Sequence, residues 1–280
     1  MSRIELHCPS CGYDVPLTLM PPPKMFSCPE CLEIMPRDKL TKLKVLHRNI
    51  AGANTLVNNM SGVVVGSNTF FDPTQATASI TVSNCVFAAG DTCVVFVADN
   101  LAGGGSSGPT TCTVGGSGTT LIVGTTQNDQ TAACFTRSNI TAGSKSVVVG
   151  TWGANPTACA AVVVAVSGAK SVSSTDGFSS GEATTAAFDT GLTSALLFAN
   201  EFAIAAVGSQ NTDLVGGITW DQGFLNAASG HVGTHSGGPP NDTVLDVAFL
   251  KLLSNSPIKA TGTLPQAVDN ASIIVTIKPA

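Results

Sequence analysis

Two Cys-x-x-Cys pairs lie close together near the start of the chain, Cys8-Pro-Ser-Cys11 and Cys28-Pro-Glu-Cys31, with sixteen residues between them. Four thiols at this spacing are typical of a tetrahedral zinc site in a small ribbon. Zinc binding contributes about 10–16 kcal/mol in such modules, so the metal decides whether the segment folds. We therefore predict one structural Zn²⁺ bound by Cys8, Cys11, Cys28 and Cys31 in a zinc ribbon over residues 1–36. An iron centre with four cysteine ligands stays open as an alternative.

A basic segment, residues 37–58, follows the ribbon and is predicted to be a linker or tail. Its leucines at 40, 43 and 46 suit a short helix or a last ribbon strand equally. We expect its basic side chains to contact a partner, either phosphates or an acidic protein surface, although a solvated linker face is the simpler interpretation. The candidate partner-binding residues are Arg37, Lys39, Lys42, Lys44 and Arg48.

Charge is divided unevenly along the chain. The first 50 residues hold seven of the thirteen Lys and Arg and five of the eighteen acidic residues, a net charge of +2. The remaining 230 residues hold six basic and thirteen acidic residues, a net charge of −7. Four zinc-bound thiolates would add −2 and bring the ribbon close to neutral. This balance argues against a nucleic-acid partner, which needs a basic surface.

The rest of the chain has the composition of packed β structure. Charged residues make up 11% and hydrophobic residues 43%, which is the reverse of a disordered chain. Short apolar runs such as Cys93–Ala98 and Ala161–Val166 are separated by Gly, Asn, Asp, Ser and Pro. Runs this apolar predict strands buried on both faces, and their spacing predicts a β-sandwich.

These runs occur twice in the same order. Phe135–Trp152 leads into Cys159–Ala169, as Phe249–Leu264 leads into Ala271–Ala280. Cys93–Asn100 matches Glu201–Asn211, and Gly118–Gly124 matches Gly217–Gly223. We predict a mostly β protein, in which the zinc ribbon is followed by an internally duplicated β-sandwich of jelly-roll or Ig-like type, with halves at 59–170 and 171–280. The halves could form two sandwiches or two parts of one.

Five further cysteines, Cys85, Cys93, Cys112, Cys134 and Cys159, show no ligand spacing. We expect them to be small buried apolar groups. A Cys85–Cys93 disulfide is the alternative, although a chain that starts in a reducing compartment disfavours it.

No residue pattern predicts catalysis, and we expect a non-enzymatic protein. His231 and His235, near Asp242 and Asp246, could form a second metal site, but the surrounding glycines favour a solvated loop. Gly104–Gly108 and Gly177–Gly181 both match G-x-S-x-G without the strand–helix context of a nucleophile elbow. Trp152 and Trp220 suit packed aromatics better than sugar platforms.

Neither a membrane span nor a signal peptide is apparent. The longest uninterrupted apolar run, Ala158–Val166, has nine residues, well short of the roughly 20 that cross a bilayer. Residues 1–7 lead directly into the first cysteine pair without an apolar stretch. We expect synthesis in the host cytoplasm and no membrane partner.

The duplicated segments Gly90–Ala98, Ala142–Val149, Ala160–Ala169 and Ile273–Ala280 resemble β-sandwich proteins of tailed-phage virions and bacterial surfaces. The first 36 residues resemble small zinc ribbons of phage and bacterial proteins. The resemblance implies a phage virion structural protein, a capsid decoration or cement subunit that docks through its ribbon. The implied partners are the major capsid protein or other virion proteins and further copies of this chain, for example in a trimer.

Two other functions remain open. The first is a tail-fibre or adhesin subunit that binds host glycans, which exposed loop aromatics would favour, although the chain has only one Tyr and two Trp. The second is a cytoplasmic zinc-ribbon module that binds protein or nucleic acid, which a basic ribbon face would favour.

Overall fold

The structure is a computed structural model that describes residues 60–72, 77–100, 108–210, 217–234 and 242–280, together with the backbone of residues 6–7 and 14–15. The chain divides into two compact units, Met1–Asn58 and Asn59–Ala280. In the first unit, β1 (Leu6–His7) pairs antiparallel with β2 (Asp14–Val15).

All described regular elements are β-strands, which confirms the prediction of a mostly β chain. The described residues contain no helix of the length and hydropathy needed to span a bilayer.

The first half of the second unit forms two antiparallel sheets. One has the order β3-β11-β5-β9-β8 and the other the order β4-β10-β6-β7. The strands are β3 (Ser61–Phe71), β4 (Ser79–Phe87), β5 (Thr92–Asn100), β6 (Pro109–Val114), β7 (Ser117–Gly118), β8 (Thr120–Gln127), β9 (Gln130–Arg137), β10 (Gly143–Trp152) and β11 (Ala158–Ser167).

The second half also forms two antiparallel sheets. The larger has the order β12-β20-β14-β18-β16, with β17 also paired to β18, and the smaller has the order β13-β19-β15. The strands are β12 (Thr175–Ala183), β13 (Ala187–Asp189), β14 (Phe202–Ser209), β15 (Thr219–Trp220), β16 (Leu225–Asn226), β17 (Val232–Gly233), β18 (Val244–Lys251), β19 (Thr261–Thr263) and β20 (Asn270–Ile277).

The two larger sheets pack face to face, and the smaller sheets cover their outer faces. The central core joins alternate residues of both larger sheets, such as Phe96 and Val164 with Ile204 and Ile273. The other face of the first large sheet packs against the four-stranded sheet. The corresponding face of the second packs against the three-stranded sheet and adjoining loops. The second unit is therefore a four-layer β stack, and its two halves share one core.

This layering explains the continuous apolar runs. An antiparallel sheet with one solvated face alternates apolar and polar residues, but a sheet covered on both faces does not. All residues of β5, β14 and β20 are buried, as are nine of the ten in β11. The prediction that the runs Cys93–Ala98 and Ala161–Val166 form strands buried on both faces is confirmed in β5 and β11. Burial of each Val or Ile contributes about 1.5–3 kcal/mol, so these strands dominate the stability of the unit.

The two ends of the stack are defined by the strands that begin and end there. At the end called proximal here, β3, β5, β12 and β14 begin and β11 and β20 end. At the opposite, distal end, β5 and β14 finish and β9, β11, β18 and β20 begin. Hydrogen bonds join the halves at both ends of the stack. The proximal ends of the two large sheets therefore lie together, and so do their distal ends.

Candidate functional site

The residues predicted to bind metal and partner lie outside the described residues. Strands β1 and β2 bracket the first cysteine pair in the sequence, because β1 ends at His7 and β2 begins at Asp14. The donor set itself, four soft thiolates, fits Zn²⁺. The residues outside the description are Cys8, Cys11, Cys28, Cys31, Arg37, Lys39, Lys42, Lys44 and Arg48.

His231 has a specific partner in the fold. Its Nδ1 lies 2.8 Å from Oδ2 of Asp246 on β18, and Oδ1 of Asp246 accepts a hydrogen bond of 2.8 Å from the indole N–H of Trp220. The side chain of Asp246 is 5% exposed and that of His231 is 34% exposed. A buried carboxylate in this position orients the imidazole ring.

The described side chains do not form a complete metal site around His231. No group of three or more His, Cys, Asp or Glu that could hold a metal occurs among them. His235, the other histidine of the predicted site, lies outside the described residues. His231 therefore sits in a three-residue hydrogen-bonded arrangement with Asp246 and Trp220.

The second G-x-S-x-G match, Gly177–Gly181, lies within β12. A nucleophile elbow needs a sharp turn between a strand and a helix, which an extended strand does not provide. Of the first match, only Gly108 lies in the described part of the chain. The tryptophans are packed: Trp152 is 6% exposed and donates to Asp99 at 3.1 Å, and Trp220 makes an edge contact with Phe188 at 4.9 Å.

The five cysteines of the second unit are free and fully buried, which confirms the prediction of apolar packing over a disulfide. Burial raises the pKa of Cys85 and Cys112 to about 11 and that of Cys159 to about 12. Burial also raises the pKa of Cys93 and Cys134 well above its usual value. These thiols are therefore protonated and weakly nucleophilic at neutral pH.

The proximal end of the second half contains a buried pair of carboxyl groups. Asp176 lies on β12, and Glu201 immediately precedes β14. Strand β20 pairs with both β12 and β14 and so brings the two carboxyl groups together. Glu201 is 1% exposed, and its burial, reinforced by the neighbouring Asp176, raises its pKa to about 7. A carboxyl group in this state exchanges a proton near neutral pH.

The carboxyl pair fixes an exposed apolar segment, Leu197–Phe198. The backbone N–H of Leu197 donates to Oδ2 of Asp176 at 2.6 Å, and that of Phe198 donates to Oε1 of Glu201 at 3.2 Å. Lys278 Nζ lies 3.9 Å from Oδ1 of Asp176. The side chains of Leu197 and Phe198 are 69% and 37% exposed. The protonation of Glu201 is thus linked directly to the backbone N–H of Phe198, which donates a hydrogen bond to its carboxyl group.

Sequence reasoning did not identify this pair. The one available indication was Glu201 itself, a charged residue that, together with Asn200, interrupts the apolar stretch Ala195–Val207. Its partner Asp176 is distant in sequence, so only the sheet register could reveal the contact.

A second polar cluster joins the halves at the distal end. Thr243 donates from Oγ1 to Oε1 of Gln130 at 3.0 Å, and both residues are fully buried. Asn128 donates to Oδ2 of Asp269 at 3.0 Å across the same seam. The cluster closes the shared core where the apolar side chains end.

Asp129 also belongs to this seam. It accepts a hydrogen bond from the side-chain amide of Gln210 in the other half. Burial raises the pKa of Asp129, and the nearby negative charge of Asp269 raises it further. The carboxylates of both halves thus crowd together at the distal end.

No family model, no curated protein and no solved structure matches this chain.

Proposed function

We propose that this chain is a non-enzymatic structural subunit of a phage particle, most specifically a capsid decoration or cement protein. The observation that supports this proposal best is the order of strands within each half of the four-layer stack. The proposal includes a virion as the final location and the major capsid protein or other virion proteins as partners.

The strand order of the first half supports the proposal of a jelly roll. In an eight-stranded jelly roll, one sheet holds the first, eighth, third and sixth strands and the other the second, seventh, fourth and fifth. With β8 taken as an additional strand, the sheets β3-β11-β5-β9 and β4-β10-β6-β7 have this order. Jelly rolls are frequent in viral capsid and lectin domains, where they form compact surface modules.

The second half follows the same order, with three strands in its smaller sheet instead of four. The sheets β12-β20-β14-β18 and β13-β19-β15 correspond to β3-β11-β5-β9 and β4-β10-β6. We infer an internal duplication from this correspondence and from the repeated run Cys93–Asn100 with Glu201–Asn211, which matches β5 with β14. The sequence match of Gly118–Gly124 with Gly217–Gly223 does not agree with the strand order, because it pairs β8 with β15, whose counterpart is β6. A tandem pair whose large sheets share one core is rigid, because its halves cannot separate without exposing buried Val and Ile. Rigidity of this kind suits a subunit that bridges or projects from a shell.

The N-terminal ribbon is the proposed docking element. Four cysteines at ribbon spacing would hold one Zn²⁺ through Cys8, Cys11, Cys28 and Cys31, and the metal would order the segment. The basic residues between Arg37 and Arg48 would then face an acidic surface of the shell. Symmetric copies, such as trimers, would place several ribbons on one particle.

Density-gradient fractionation of lysate from the producing culture, with this chain followed by mass spectrometry, tests the proposal. We expect co-migration with intact capsids at a high, fixed ratio to the major shell protein. A full-length Cys28→Ser, Cys31→Ser variant should lose co-migration while its second unit stays folded. A Lys170→Gln, Lys251→Gln variant, changed only at exposed positions of the second unit, should retain it. Absence of the unaltered chain from all particle fractions would refute the virion proposal and favour a cytoplasmic zinc-ribbon module.

A tail-fibre or adhesin subunit is the second candidate, because lectin domains also use the jelly roll. It predicts a low copy number that follows tails instead of capsids. It also predicts saturable glycan binding by the second unit, which a glycan array with purified full-length protein would detect.

A further inference from the structure

A shallow pocket lies at the proximal end of the first half. The β6–β7 turn contributes Gly115 and Ser117, the β9–β10 connection contributes Asn139, and Arg137 and Lys145 come from β9 and β10. The cavity has a volume of about 90 Å³. This is space for a single small group and not for a nucleotide or a sugar chain.

The pocket concentrates positive charge on an acidic unit. The second unit has six basic residues against thirteen acidic ones, and two of the six line this cavity. Two of the others are neutralised, since Lys259 lies 2.6 Å from Asp189 and Lys278 lies 3.9 Å from Asp176. Within the described residues, neither Arg137 nor Lys145 forms such an ion pair.

The nearest turn carries an acidic residue whose side chain faces other partners. The β4–β5 turn is tied to the pocket wall, because the N–H of Ile140 donates to the backbone carbonyl of Asp91 at 2.8 Å. The Asp91 carboxylate is engaged elsewhere: Oδ1 accepts from Ser167 Oγ at 2.7 Å and Oδ2 accepts from the N–H of Ala88 at 2.8 Å. Among the described residues, Asp91 therefore makes no ion pair with Arg137 or Lys145.

The two cationic side chains are also held in place. A Cβ built on Gly115 would lie 3.1 Å from Cδ of Lys145, so the glycine lets the lysine stem cross the turn. Gly115 has a φ of 57°, which further disfavours a side chain there. Arg137 donates from Nη1 to the carbonyl of Gly118 at 3.4 Å, one long contact for a guanidinium that has five N–H donors. The remaining donors suit an oxygen-rich anion.

We propose that this pocket binds one small oxyanion, a phosphate, sulfate or carboxylate group, between Arg137 and Lys145. Arg137 supplies the planar fork that pairs with two oxygens, and Lys145 supplies a point charge. The side chains of Ser117 and Asn139 add neutral hydrogen-bonding groups at the rim. The site needs neither the ribbon nor a particle and thus stands apart from the proposed function.

Titration of the full-length protein with sodium phosphate and with sodium acetate, followed by calorimetry at constant ionic strength, tests the site. We expect saturable binding of at least one anion. Arg137→Gln and Lys145→Gln should each weaken it by about tenfold or more, because each removes a charged hydrogen-bonding partner. The control, Lys170→Gln with Lys251→Gln, removes two exposed charges from the same unit and should leave the affinity within about twofold.

Each outcome decides the question. Preference for phosphate indicates a free or phosphorylated ligand, and preference for acetate indicates a carboxylate such as an acidic side chain of a partner. No saturable binding of either anion, or equal weakening in the control, would overturn the proposal. Thermal unfolding in a chloride buffer, without phosphate or acetate, shows whether the variants fold. If Arg137→Gln does not fold, the anion affinity of Lys145→Gln tests the proposal by itself.

Discussion

Replacement of Glu201 by Gln should stabilise the protein at neutral and higher pH and should change how its stability depends on pH. The carboxyl group is 1% exposed and lies beside Asp176, so its charged form is disfavoured in the folded state. Gln keeps the size and the oxygen that accepts the N–H of Phe198. It cannot ionise, so the cost of a buried charge disappears.

The magnitude follows from the pKa. The pKa of Glu201 is raised from 4.5 to about 7 in the folded protein. Between these values the folded state holds a proton that the unfolded state has released, so stability is greatest below pH 4.5 and declines as pH rises to 7. One pKa unit corresponds to about 1.4 kcal/mol, so the total decline is about 3 kcal/mol. The gain from Glu201→Gln should therefore be about 3 kcal/mol larger at pH 8 than at low pH.

Urea unfolding at pH 5.5, 6.5, 7.5 and 8.5, followed by tryptophan fluorescence, measures this difference. Both tryptophans lie in the second unit and report on the same fold. Glu182→Gln, an exposed carboxylate on the same strand as Asp176, is the matched control and should give a pH-independent difference. If the difference between Glu201→Gln and the unaltered protein varies by less than about 0.5 kcal/mol across this range, the buried-carboxyl argument is wrong.

Three other perturbations test separate parts of the structure. Ellman's assay should find that none of the nine cysteines reacts in the folded, zinc-loaded protein. Chelation of the metal should expose four of them, and the other five should react only after unfolding. Gly208→Val should destabilise the shared core by about 1–3 kcal/mol in urea unfolding, because a Cβ there would lie 2.7 Å from that of Ala98 in the other half. Asp246→Ala should cost about 1–3 kcal/mol and shift the Trp220 emission, because it leaves the indole N–H and His231 without their acceptor.

Each of these has a result that would contradict it. Reaction of more than four thiols in the folded state would mean that the second-unit core opens readily. A Gly208→Val protein as stable as a Gly118→Ala control, where nothing lies within 4 Å, would mean that the halves are not tightly packed. An unchanged emission spectrum in Asp246→Ala would mean that the indole N–H of Trp220 does not bond to Asp246.

The polar sites could be predicted from the sequence only where their residues lie close together in the chain. His231 was identified with Asp246 as a neighbour because they are close in the chain, and the fold joins them by a 2.8 Å contact. Arg137 and Lys145 carried no distinguishing pattern, and Asp176 lies 25 positions before Glu201. Such pairs arise from strand register, which depends on which runs pair and not on local composition.

The sequence alone determined the class of structure. The high content of Val, Thr and Gly with little charge favours β-sheets, and runs without polar alternation favour strands covered on both faces. These properties are local, because they depend on residue type and spacing within about ten positions. The repeated order of runs, read over the whole second unit, pointed to two similar halves.

Only the tertiary structure decided how the halves meet. Val162 and Ile273 would have been buried equally well in two separate sandwiches, because hydrophobic burial has no direction. Their placement in one shared core depends on the complementary shape of two complete sheets, with Gly208 making room for Ala98 and Gln130. The same long-range packing places Glu201 beside Asp176, and hence creates the proton-linked site, at a position that no sequence pattern marks.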